Sequence, residues 1–145
     1  MQFAVGVIGV GNMGSALVRG IIERGTVSAK SVIVCDLVQD LVERICDDMG
    51  VVDGTEATHV AGSADLVVLA AKPQNLPSLL EEISPSINSN QTIMSIAAGV
   101  TTKSIEESLG GEPSVIRVMP NLPALVGEGI AAVSYTHLRA HETTN

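Results

Sequence analysis

Aromatic residues are nearly missing from this chain, which has no tryptophan, one phenylalanine and one tyrosine. A platform on which unpaired bases could stack is therefore excluded. Cations are scarce as well: eight Lys and Arg stand against sixteen Asp and Glu, for a formal net charge of −8. No basic stripe is left to track a phosphate backbone, so nucleic acid is not an expected partner. The only two cysteines, Cys35 and Cys46, fall in apolar patterns without metal-ligand spacing and read as reduced thiols of a cytoplasmic protein. No basic leader precedes the first apolar run and no stretch has membrane length, so neither a targeting segment nor a membrane partner is expected.

What is present is apolar and periodic. With 145 residues, 46% of them hydrophobic, the chain can bury one core and suits a single domain that takes a small ligand. Short β-branched runs at Val5–Ile8, Ser31–Cys35, Asp65–Ala71, Thr92–Ala97 and Ser114–Val118 read as strands, with a brief one at Val51–Val52. Between them, Asn12–Arg24, Val38–Met49, a segment after Pro73 and Thr102–Leu109 have helical spacing. In the first helix the apolar face is read as Met13, Ala16, Leu17, Gly20 and Ile21, and Gly25 and Gly50 are read as helix stops. Alternation of this kind implies βαβ units and a mostly parallel, doubly wound α/β sheet of the Rossmann type. His59 lies in the connection from Gly54 to Gly62 and is expected at the surface rather than as a general acid.

The pattern stops near Val133. Residues 134–145 hold the only tyrosine and two of the three histidines, and they read as a tail foreign to the domain, unstructured or artefactual, similar to translated adapter sequence. His137 and His141 have the i, i+4 spacing of a helical zinc pair, but a third ligand is not evident and no metal is expected.

The chemistry sits at the first strand-to-helix junction, Ile8-Gly9-Val10-Gly11-Asn12-Met13-Gly14. Gly9 permits a tight turn, Gly11 lets backbone approach a pyrophosphate, and Gly14 lets helix and strand pack closely. A helix beginning at Asn12 would aim its positive end at the anion. Asp36 follows at the end of the next strand, 22 residues beyond Gly14, where a carboxylate accepts from ribose hydroxyls or caps the next helix. This fingerprint points to NAD or NADP. Asp36 would repel a 2′-phosphate and Leu37 stands where an arginine would hold one, so the residues lean toward NAD.

Three further stretches complete the set: Ala70-Ala71-Lys72-Pro73-Gln74, Ser95-Ile96-Ala97-Ala98-Gly99-Val100-Thr101 and Arg117-Val118-Met119-Pro120-Asn121. With the glycine turn they closely resemble the pyrroline-5-carboxylate reductase family over residues 3 to 133. The resemblance implies an oxidoreductase of proline biosynthesis that moves a hydride from NAD(P)H to the C=N carbon of L-1-pyrroline-5-carboxylate, giving L-proline. It carries Ala71, Lys72, Pro73, Ala97 and Ala98 over as cofactor neighbours beside Ile8, Gly9, Gly11, Asn12, Met13, Gly14 and Asp36. Asn121, with a donor and an acceptor, is the residue placed near the substrate, and Leu122 departs from the threonine usual in the family. No catalytic residue is assigned. The family's helical C-terminal domain, which supplies the dimer interface and most of the substrate pocket, is not recognisable here. Residues 1–133 are thus expected to bind cofactor without turnover, and the whole protein to be a homo-oligomer. Two other readings share the glycine turn: the cofactor domain of a β-hydroxyacid dehydrogenase and a non-catalytic dinucleotide-sensing domain.

Overall fold

The computed structural model describes residues 2–111 and 113–118. Strands β1 (Phe3–Ile8), β2 (Val32–Cys35), β3 (Val52–Asp53), β4 (Ala64–Leu69), β5 (Thr92–Ser95) and β6 (Ser114–Arg117) form one sheet in the order β3-β2-β1-β4-β5-β6. Every neighbouring pair is parallel. The expected doubly wound α/β domain is borne out, and the order reverses between β1 and β4, where such sheets open a crevice at their carboxyl ends.

Period-2 alternation explains the layers. Val32 and Val34 join a core with Val5, Val7, Leu66, Val68 and Met94 on one face, while Ile33 and Cys35 join Val67, Leu69 and Ile93 on the other. Helices α1 (Asn12–Glu23) and α2 (Gln39–Met49) cover the first face through Leu17, Val18, Ile21, Val42 and Ile45. Helices α3 (Ala57–Ser63), α4 (Leu76–Ile83) and α5 (Thr102–Ser108) cover the second through Val60, Ala61, Leu76, Leu80, Ile83 and Ile105. Burying a leucine or isoleucine side chain in this way is worth about 1.5–3 kcal/mol.

Two expectations need correction. The buried stripe of α1 is Gly14, Leu17, Val18 and Ile21, whereas Met13 is 37% exposed. The helix is rotated from the expected face because Gly14 must lie against the β1 turn. The connection that begins at Gly54 also contains α3, which sequence periodicity missed because only two of its residues, Val60 and Ala61, are buried. Gly6 admits it: a Cβ there would stand 2.8 Å from a Val60 methyl. His59 is exposed on that helix, as expected.

Gln91, almost fully buried, pins α3 to the sheet. Its amide donates to the Ala61 and Ala64 carbonyls at 2.5 and 2.8 Å, and its Oε1 accepts from the Asn88 N–H at 2.8 Å. No helix among the described residues is long and apolar enough to cross a membrane, and no group of three or more metal-ligating side chains occurs there. Asn121, His137 and His141 lie outside the described residues, as does the whole segment 134–145.

Candidate functional site

The carboxyl ends of β1, β2 and β4 are laced together by hydrogen bonds that cross between strands. Beyond β1 the chain turns through Gly9, whose φ of +104° lies in the region that glycine alone adopts without strain. The Gly9 N–H donates to the Cys35 carbonyl at 2.9 Å, and the Ala70 N–H donates to the Ile8 carbonyl at 2.8 Å. A Cβ on Gly9 would come within 2.7 Å of the Ala70 carbonyl carbon. One added to Gly14 would overlap the Gly9 carbonyl oxygen. Around Gly11, by contrast, a Cβ would meet nothing within 4 Å. Two glycines are thus fixed by packing, and the third faces open space.

Gly11 is the N-cap residue of α1 and contributes no side-chain cap, and the first turn holds no acidic residue. The amides at a helix start have no intrahelical acceptor and carry the positive end of the dipole. Asn12 and Met13, both exposed, flank this opening. Ile8 contributes backbone alone, since its side chain belongs to the core.

Asp36 follows β2 and is only partly buried. Its Oδ2 accepts from the Val10 N–H at 2.7 Å, and its Oδ1 accepts from the Val38 N–H at 2.8 Å. The second bond closes a local Asx-type turn. Helix α2 starts after Val38, so Asp36 is not its N-cap, and the capping alternative falls. Leu37 is 93% and Val38 53% exposed. Beside them, burial pushes the Cys35 thiol up to about 12, with the negative charges of Asp36, Glu82 and Asp53 adding to the shift.

The remaining expected residues stand at the adjoining strand ends. Ala71 is half-buried after β4, Lys72 is exposed, and Pro73 opens a single 3₁₀ turn before α4, where its missing N–H costs nothing. After β5, Ala97 is buried while Ala98 is exposed, and Gly99 turns the chain with a φ of +76°. Sequence reasoning missed Val10 and Val38 as the amides that hold Asp36. For Val38 a local signal existed, since an Asp often accepts from the amide two residues on in an Asx turn. The bond to Val10 spans 26 residues and has no local pattern.

A six-stranded parallel sheet in this order, a glycine turn at the first βα junction and an anchored acid after β2 define a Rossmann-type α/β domain. The chain belongs to the family described as NADP oxidoreductase coenzyme F420-dependent, whose model matches residues 4–99. The resemblance expected from the four motifs is borne out by curated relatives. The chain is 38% identical over 144 residues to a pyrroline-5-carboxylate reductase of Escherichia coli K12, covering 99% of this chain and 54% of the relative. It is 34% identical over 130 residues to that of Methanosarcina acetivorans, covering 90% of this chain and 48% of the relative. It spans about half the length of the curated relatives it matches. Among solved structures, the pyrroline-5-carboxylate reductase of Coxiella burnetii superposes with a TM-score of 0.77 at 31% identity, over 88% of this chain and 46% of that one. The Plasmodium falciparum pyrroline carboxylate reductase, solved with NADP bound, gives 0.74 at 29% identity over the same shares.

Proposed function

We propose that this chain is the nicotinamide-dinucleotide-binding half of a pyrroline-5-carboxylate reductase. The reading rests on one observation above all: Gly11 opens onto space at the start of an uncapped helix while Gly9 and Gly14 are locked by packing. Backbone donors and the dipole of α1 suit a pyrophosphate there. The Asp36 carboxylate takes the adenosine ribose. Ala71, Lys72 and Pro73 line the middle of the cofactor, and the nearly side-chain-free Ala97 and Ala98 let the nicotinamide lie against the end of β5. Asn121 is assigned to the substrate side by the family resemblance alone.

The reduced nicotinamide supplies the hydride that reaches the C=N carbon of L-1-pyrroline-5-carboxylate, whose nitrogen takes a proton to give L-proline. This chain's residues fix the donor in place and keep water from its sheet-facing side. Residues 1–133 form the cofactor domain. Substrate anchoring and self-association belong to sequence that the longer relatives carry, so the chain binds cofactor without turning over, in the cytoplasm.

Titration of the 145-residue chain with NADH and NADPH, followed by fluorescence, tests the binding half of the proposal. Saturable binding is the expected result, and failure of both nucleotides to bind overturns it. The substrate half is tested by joining residues 1–133 to the C-terminal half of a curated relative and assaying pyrroline-5-carboxylate reduction. Tight cofactor binding with no reduction would instead favour a dinucleotide sensor.

A further inference from the structure

The adenosine end of the proposed site is built by the segment 36–40, Asp-Leu-Val-Gln-Asp, which carries two carboxylates and no cation. Both Asp36 oxygens are tied to main-chain amides, at 2.7 Å to Val10 and 2.8 Å to Val38. Each retains a lone pair that can accept from a hydroxyl. Leu37, almost wholly exposed, adds no charge. The first amide side chain after it, Gln39, donates through Nε2 to Asp53 Oδ2 at 2.8 Å. Asp53 is itself fixed, since its Oδ1 accepts from the Thr55 N–H at 2.9 Å. Two anchored carboxylates, Asp36 after β2 and Asp53 at the end of β3, therefore stand at this edge of the site, with Asp40 following in the first turn of α2.

We propose that this site selects the dinucleotide with a free ribose 2′-hydroxyl, NADH, over the 2′-phosphorylated NADPH, with Asp36 as the specificity-determining residue. The inference rests on the cofactor reading above. A mobile acid could swing aside for a phosphate, but Asp36 would first have to release two amide hydrogen bonds. A 2′-phosphate would add a second anion against a carboxylate that stays in place, a juxtaposition disfavoured far beyond tenfold. The Plasmodium relative carrying NADP shares the fold. Selection is therefore a property of the local side chains and not of the sheet.

The test is a pair of equilibrium titrations of the 145-residue chain, with NADH and with NADPH. NADH should bind tighter by about a hundredfold or more. ADP-ribose should displace NADH more effectively than 2′-phospho-ADP-ribose by a similar ratio, which assigns the difference to the adenosine end. Leu37→Arg, at an exposed position that the fold does not need, should narrow the ratio, and Asp36→Ser combined with Leu37→Arg should bring it within about tenfold. Equal or tighter binding of NADPH by the parent chain overturns the selectivity while leaving the cofactor site standing. A ratio unmoved in both variants, each folded by circular dichroism, removes Asp36 as its cause. If neither nucleotide binds the parent chain, both the site and its selectivity fall.

Discussion

Asp36 at the end of β2 and Val10 in the turn after β1 are joined by a 2.7 Å hydrogen bond that spans 26 residues of sequence. The same carboxylate holds Val38, so one side chain sets both the glycine turn and the entry to α2. Asp36→Ala leaves two amides without their acceptor and should lower the unfolding free energy by about 1–3 kcal/mol. Asp36→Asn keeps one acceptor oxygen and should lose less. Urea unfolding of the two variants checks the order, and equal losses would show that the paired bonds are not what stabilises the turn.

The three glycines separate packing from ligand approach. Gly14→Ala forces a methyl group onto the Gly9 carbonyl and should destabilise the fold by roughly 1–3 kcal/mol. Gly11→Ala meets nothing within 4 Å at a φ of −71°, so its stability should stay within about 1 kcal/mol of the parent. Its nucleotide affinity should nonetheless fall at least about tenfold, a change of about 1.4 kcal/mol. Thermal melts and nucleotide titrations on both variants measure the contrast.

Alkaline pH should reveal Cys35. Its thiol ionises near 9.0 when unconstrained and near about 12 in the folded chain. Above pH 9 the unfolded chain gives up this proton while the folded chain keeps it, so the stability it contributes is complete below pH 9 and is lost as pH rises toward 12. The expected slope from this group is about 1.4 kcal/mol per pH unit in that window. Cys35→Val should remove it. Denaturant midpoints from pH 8 to 10.5 are the measurement, and an unchanged slope in the variant would assign the loss to other groups.

Gln91→Leu removes one side chain that serves two carbonyls and an amide inside the protein. Buried groups left without partners should reduce stability by about 1–3 kcal/mol. Faster hydrogen exchange of the α3 amides relative to those of α1 is the accompanying signature, because only the former helix is anchored this way.

Strands were the most legible part of the sequence. Runs such as Leu66–Leu69 are buried on both faces, and their continuous apolar character announces a central parallel strand. The phase of α1 was harder. Counting apolar residues favours Met13 and Ala16, yet the constraint lies in Gly14, which has no hydrophobicity to count. Once that glycine is placed against the turn, Leu17, Val18 and Ile21 follow at helical spacing. Helix α3 was invisible for a related reason: Val60 packs against Gly6, whose lack of a side chain makes the room and leaves nothing for a hydrophobic pattern to register.

The site residues divide along the same line. Gly9, Gly14 and Asp36 have roles that a local motif encodes, and the structure brings them to one place. The anchoring of Asp36 by Val10 and Val38 is a matter of backbone geometry, to which side-chain identity at those positions contributes little.

The bonds from Gly9 to Cys35 and from Ala70 to Ile8 also constrain when the site can exist during folding. Neither is local in sequence, and each needs β2 or β4 already docked beside β1. Contacts of this kind form late, after long loops have closed. A ligand seated on the turn would then meet a surface absent from the early chain and from much of the folding transition state. It should prolong the life of the folded molecule by slowing unfolding, with little effect on how fast the fold is reached.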